Sequence, residues 1–286
     1  MRVTNTMMAD NITASLLRQM KQMYQVQEQI VTGKRINRPS DDPVGMSNVL
    51  GYRNTISSLE QYNENISSGK MHIETMDNVL EMIADLLNDA KTIAFDDDPD
   101  MRTNLAQDVA SIREQILDLT NYRINGDYIF SGDATDTQPF DVTGTYFGDN
   151  DTKDIMIGSG HQVAVAADGF DIFQSVTDIF TELTDLETDL IAGISTDIAS
   201  HIDPLEQAID QVRNVQAQNA AIYTRLEATE NHYNYFKLNM EDLVSSEEDA
   251  DIAEAIVSFQ TQQTAYESTL ATSSMILNKS LIDFLR

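Results

Sequence analysis

Apolar residues in this chain recur at alternating steps of three and four, the spacing that lays one stripe along an α-helix. The first stripe is Ile12, Leu16, Met23, Val26 and Ile30, with only Gln19 polar in the seam, and Gly33 stands where a helix ends in a left-handed residue. A second runs from Val44 to about Ala94 through Val49, Tyr52, Ile56, Leu59, Ile66, Ile73 and Leu80. A third, from Pro99 to about Arg123, aligns Leu105, Val109, Ile112, Ile116 and Leu119. A fourth joins Leu205, Ile209, Val212, Tyr223, Leu226, Tyr233 and Met240 across polar Gln216, Asn219 and Glu230. The last carries Ile252, Ile256, Phe259, Tyr266, Leu270 and Leu277, with Gln263 and Ser273 as its polar seam positions. Stripes this long predict a coiled coil or bundle. At ~1.5 Å per residue the second helix is expected to be roughly 75 Å long and the fourth roughly 60 Å, the dimensions of a rod.

Punctuation supports these boundaries. Three of the five prolines follow aspartate (Asp42-Pro43, Asp98-Pro99, Asp203-Pro204), where Asp caps free backbone N–H groups and Pro occupies the first helical position. Ser245 with Glu248 reads as a capping box opening the last helix. Seven of the twelve glycines fall between Gly126 and Gly169, among strand-like runs at Tyr128-Ile129-Phe130, Asp154 to Ile157 and Gln162 to Val165. A further helix is marked by Val176, Ile179, Phe180, Leu183, Leu186 and Leu190. The expected fold is mainly α: an elongated helical rod with paired N- and C-terminal coiled-coil helices and a small inserted β domain. Its segments are 1–33 with 245–286 as the terminal pair, 34–126 with 174–244 as the rod, and 127–173 as the insert.

Charge adds a reason for the ends to meet. Residues 1–40 carry a net charge of +4 and residues 241–286 a net −7, within a chain of net −29. That overall charge would repel nucleic-acid phosphates and anionic lipid, so neither partner is expected. No apolar run approaches the roughly 18–20 residues of a membrane span, and the first residues do not resemble a cleavable signal. The absence of cysteine removes thiol nucleophiles, disulfides and thiolate metal sites.

Candidate chemistry is sparse. His72, His161, His201 and His232 lack the i, i+4 spacing of a helical metal site. Asp149 to Asp154 begins like a calcium loop but has Lys153, Asp154 and Gly160 where a ligand, the turn glycine and the closing glutamate belong. Asp96-Asp97-Asp98 reads as a loop and helix cap. Gly158-Ser159-Gly160 has neither the third glycine nor the helix of a phosphate-binding turn. No catalytic residue, cofactor or metal is therefore expected.

The joint between the first two helices carries a distinctive motif, Thr32-Gly33-Lys34-Arg35-Ile36-Asn37-Arg38-Pro39-Ser40-Asp41-Asp42-Pro43-Val44-Gly45. It resembles the segment after the first helix of the flagellin family, and Pro39-Ser40-Asp41-Asp42-Pro43 looks more like that family's hook–filament junction members than like flagellin itself. Asn125-Gly126-Asp127-Tyr128-Ile129-Phe130-Ser131-Gly132 is similar to the Gly-x-Tyr-x-Phe-x-Gly segment opening the family's variable domain. The C-terminal stretch from Asp251 through Gln262-Gln263-Thr264-Ala265-Tyr266 to Leu285 looks like its terminal helix. The likeness covers roughly residues 1–132 and 204–286; the insert matches only in position.

The resemblance implies a structural subunit, not an enzyme, whose paired terminal helices form an inner tube wall while the middle domain faces outward. It implies as partners the hook-associated protein FlgK, flagellin and neighbouring copies of the chain, with an export chaperone before secretion. It also implies export, unfolded and without a cleaved signal, through the flagellar type III channel to the extracellular flagellum. The alternatives are flagellin proper, or an intracellular coiled-coil interaction module.

Overall fold

The computed structural model describes residues 5–284 apart from 97, 125, 150, 166 and 167, and side chains at 7 and 9–275 outside those gaps. In chain order the elements are α1 (Asn5–Thr32), α2 (Pro43–Phe95), α3 (Arg102–Thr120), β1 (Arg123–Ile124), β2 (Asp127–Tyr128), β3 (Asp154–Gly158) and β4 (His161–Ala164). There follow α4 (Gly169–Phe173), α5 (Ile179–Ala192), α6 (Ser195–Ser200), α7 (Ile202–Glu248) and α8 (Ile252–Phe284). The fold is mainly α, 73% helical, as the stripes predict. The chain forms two compact units, residues 1–58 with 235–286, and residues 59–234; α2 and α7 contribute to both.

In the unit 59–234 the core is built at helical spacing. Met76, Leu80, Ile83 and Leu87 of α2 pack with Val109, Ile112 and Ile116 of α3, Leu183, Leu186 and Leu190 of α5, and Leu205, Ile209 and Val212 of α7. The segment after α3 feeds the same cluster. Phe130, Phe140 and Phe173 are fully buried, with ring centroids 5.1 Å (Phe130–Phe173) and 5.7 Å (Phe140–Phe173) apart, and Phe140 lies 5.1 Å from Phe180 of α5. These edge-on and tilted geometries suit aromatic quadrupoles. Strand structure in this segment is small: β1–β2 and β3–β4 are two separate antiparallel pairs. The strand expected at Tyr128-Ile129-Phe130 stops at Tyr128, because Ile129 and Phe130 turn into the helical core instead of continuing a ladder.

The β3–β4 hairpin lies over a second cluster, Ile66 and Ile73 of α2 with Leu226 of α7 and Ile157, Val163 and Val165. Tyr233 Oη donates to the Ile157 carbonyl at 2.5 Å and Asn65 Nδ2 to the Met156 carbonyl at 2.8 Å. Gly69 makes room for it: a Cβ there would stand 2.5 Å from Ile155 Cδ1.

Three expected helix starts shift. Asp42 caps α2 as expected, accepting from the Gly45 amide at 2.9 Å. Asp98, however, accepts from Asp100 in a turn, and α3 begins only at Arg102. Asp203 lies inside the first turn of α7, which starts at Ile202, one residue after α6. Ser245 and Glu248 do not open the last helix. They end α7, and α8 is capped by Asp251, whose Oδ1 accepts from the Ala253 and Glu254 amides at 2.9 and 3.2 Å. Asp178 caps α5 in the same way, through the Phe180 and Thr181 amides, leaving Val176 outside the helix and exposed.

Candidate functional site: the terminal helix pair and its joint

In the unit 1–58 with 235–286, α1 packs along α8. The two run antiparallel: Lys34 and Asp249 form an antiparallel bridge at one end, and Gln19 Nε2 donates to Thr269 Oγ1 at 3.2 Å further along. On α1 the expected seam residues Ile12, Leu16, Met23, Val26 and Ile30 are all half-buried, as is Gln19. On α8 the buried stripe is Ala255, Phe259, Gln262, Tyr266, Thr269 and Ser273, again at alternating steps of four and three. Phe259 and Tyr266 therefore face inward, whereas Ile252, Ile256 (42% exposed) and Leu270 (51%) lie on the adjacent stripe in solvent. Leu277 lies outside the described side chains.

The stripe α8 turns inward is thus the less apolar of two neighbours. Its small and polar residues admit the Gln19–Thr269 bond. The same choice leaves Gln19 Oε1 and Gln262 Oε1 buried without a partner among the described residues. Such seam polarity costs stability and specifies register. On α1, Leu17, Tyr24 and Val31 repeat every seven residues and are exposed.

The joint is built residue by residue from its motif. Gly33 ends α1 at φ +73°, with its amide bonded to the Gln29 carbonyl at 2.9 Å, so a left-handed residue is required there. Pro39 sits second in the turn 38–41, closed by the Asp41 amide to the Arg38 carbonyl at 2.9 Å; Asp41 Oδ2 accepts from the Arg38 amide at 2.9 Å. Asn37 Nδ2 donates to the Lys34 carbonyl at 3.1 Å. Gly45 lets Ile36, 1% exposed, tuck under the first turn of α2: a Cβ at 45 would lie 2.7 Å from Ile36 Cδ1. The Gly45 amide, and then the Arg35 guanidinium, hold the Asp42 carboxyl below its ordinary pKa against partial desolvation. Pro43 opens α2 without a donor to lose, and Ser40 lines a polar cavity of ≈ 430 Å³ with Gln22, Gln29, Asp41 and Gln262.

The anchor of the joint is Glu248, 4% exposed. Its Oε1 accepts from Lys34 Nζ at 2.8 Å and its Oε2 from Arg53 Nη2 at 2.6 Å, while its carbonyl accepts from the Arg35 amide at 2.6 Å. Arg35 Nη2 donates to the Glu247 carbonyl at 2.6 Å, and the Ala250 amide returns to the Gly33 carbonyl at 2.9 Å. The attraction expected between basic and acidic ends is here a specific lock. Arg53 was not singled out by motif, and Glu248 only as the second residue of an expected capping box. The available signal was the Lys34-Arg35 pair set against Glu247-Glu248-Asp249 at the matching place before the last helix.

Among the described residues no group of three or more His, Cys, Asp or Glu is arranged to hold a metal ion, and no helix is long and apolar enough to cross a membrane. Asp149, in the calcium-like stretch, accepts from the Asp133 amide at 2.8 Å; Asn150 and Asp97 lie outside the described residues.

Residues 3–135 match the bacterial flagellin N-terminal helical region. The chain is 27% identical over 235 residues to flagellar hook-associated protein 3 of Salmonella typhimurium, covering 77% of this chain and 71% of that one. To the Escherichia coli protein of the same name it is 25% identical over 304 residues, covering 94% and 95%. Flagellin of Bacillus subtilis is 26% identical over 277 residues, covering 91% and 90%. Among solved structures, a flagellar hook-associated protein from Vibrio parahaemolyticus shares the fold at TM-score 0.68 and 16% identity, over 73% of this chain and 100% of that one. FlgL of Bacillus cereus shares it at TM-score 0.62 and 17% identity, over 68% and 99%. The flagellin-type N-terminal region, the joint motif and the likeness to hook-associated protein 3 along most of the chain agree: the chain is similar to the flagellin family and, within it, to hook-associated protein 3 (FlgL).

Proposed function

We propose that this chain is a structural subunit at the hook–filament junction of the bacterial flagellum, adapting the hook to the flagellin filament, and that it works by assembly rather than catalysis. The carrying observation is the double stripe of α8. One stripe is used within the chain against α1; the other, Ile252, Ile256 and Leu270, is apolar and open. With Leu17, Tyr24 and Val31 of α1 it supplies contacts to neighbouring copies, since apolar surface of this kind marks an interaction site. In this reading residues 1–33 and 245–286 form the inner wall, 34–126 and 174–244 the helical body, and 127–173 carries the outward surface. FlgK on one side and flagellin on the other are the heterologous partners, because a layer between unlike neighbours cannot use one self-complementary face. Before assembly the chain is exported unfolded through the flagellar type III channel, with a chaperone covering the C-terminal stripe.

The test separates pairing from assembly. Ile256→Asp, on the open stripe, should leave the thermal midpoint of the isolated chain unchanged yet abolish incorporation into flagella. Phe259→Asp should weaken the α1–α8 pair itself. Normal incorporation of Ile256→Asp would sink this assignment of the open stripe. In cells lacking the chain, intact hooks with flagellin lost to the medium are expected; filaments of normal length would exclude a junction role and favour flagellin proper.

A further inference from the structure

A buried histidine in the unit 59–234 has a role that the packing does not explain. His201, 8% exposed, is the single residue between α6 and α7, and the Leu205 amide opens α7 by bonding to its carbonyl at 3.0 Å. Its Nδ1 lies 2.6 Å from Glu182 Oε1 and its Nε2 2.9 Å from Asp189 Oδ2, both on α5. A neutral imidazole has one N–H and one lone pair, so it can donate to only one of two carboxylates. The other nitrogen would set its lone pair against a carboxylate oxygen at hydrogen-bond distance. Both contacts are attractive when the ring is an imidazolium donating from both nitrogens.

We propose that His201, Glu182 and Asp189 form an alkali-released latch: protonated, the imidazole fastens the start of α7 to α5; deprotonated, it releases one carboxylate and leaves two uncompensated negative charges at this joint. Burial works against the charged ring, but the hydrogen bonds and charges of Asp189 and Glu182 outweigh it, so its pKa is raised above the ordinary 6.5. Other charges nearby do not take over this role. Asp185 on α5, Asp197 on α6 and Asp203 on α7 are exposed to water. Arg102 of α3, which packs along α5, donates to the Gly193 carbonyl and to Ser195 Oγ in the α5–α6 linker. Because the folded-state pKa is raised, the stabilisation is complete below 6.5 and is lost as pH rises through the folded value. The latch is closed in acid and released in alkali. Its loosening is felt at Ile198 and Leu205, which flank the ring in sequence and sit in the main cluster.

The full-length chain with isotopically labelled histidines tests this by NMR, the His201 resonance being assigned by its loss in His201→Gln. Its titration midpoint should lie above 6.5, and Asp189→Asn should lower it. Between about pH 6 and about pH 9 the thermal midpoint should fall about 2–4 °C further in the wild type than in His201→Gln. A midpoint at or below 6.5, or an equal fall in both proteins, would overturn the proposal. If His201→Gln does not fold, assignment through Asp189→Asn and Glu182→Gln lets the wild-type titration decide.

Discussion

Replacing Glu248 with glutamine keeps the volume of the joint's anchor and removes its charge. The carboxylate is nearly inaccessible and accepts one charge-assisted hydrogen bond each from Lys34 and Arg53. Bonds of that type contribute ~1.5–3 kcal/mol each, more where the surroundings are dry. Two features pull the sum down. The Lys34 and Arg53 side chains are 39% and 46% exposed, so water resolvates them when the carboxylate is gone, and the glutamine carbonyl still accepts one bond. We therefore expect a loss of ~2 kcal/mol at the joint, about thirty-fold in its opening equilibrium. Native-state hydrogen exchange reads this directly at the amides that close it. Arg35 bonds to the Glu248 carbonyl and Ala250 to the Gly33 carbonyl, and both should exchange roughly thirty-fold faster in Glu248→Gln. Core amides of α3, in the other compact unit, should not change. Acceleration below about threefold at Arg35 and Ala250, or equal acceleration in α3, would refute the reasoning, because the lock would then be either idle or merely part of global stability.

Two packing details make further predictions. In Gly169→Ala the new Cβ would stand 2.6 Å from the Phe130 carbonyl oxygen and 2.9 Å from the Phe140 and Tyr146 rings, so overpacking should cost ~1–3 kcal/mol, seen as a lower urea midpoint at unchanged slope. Asp178→Ala removes the acceptor for the Phe180 and Thr181 amides at the start of α5 and should cost ~1 kcal/mol in the same assay, while Asp178→Asn should cost far less.

Local signals with a one-residue mechanism were legible in the sequence. Gly33 as a left-handed stop, Asp42-Pro43 as the opening of α2, and the long stripes of α2 and α7 follow from backbone sterics and the helical repeat, which need no knowledge of a partner. Signals that depend on a competing local use were less reliable. An Asp-Pro pair can cap a helix or close a turn, and Asp98 closes a turn four residues before α3 begins. The run at 127–173 showed its glycines and short strands, but not that Phe130, Phe140 and Phe173 would pack against helices on either side in sequence.

The terminal pair divides most clearly between sequence and tertiary structure. The sequence by itself determined that α1 and α8 each bear an apolar face and that their ends carry opposite charge, since periodicity and charge are properties of one segment. Only the tertiary structure decided which of two adjacent stripes on α8 meets α1, and so leaves Ile252, Ile256 and Leu270 exposed. It alone brought Arg53 and Lys34 onto Glu248, residues about two hundred positions apart. The reason is physical: a repeat reports the phase of a single helix, whereas register and pairing are set by contacts between two, and the face of α8 that meets α1 combines Phe259 and Tyr266 with the small and polar Ala255, Thr269 and Ser273.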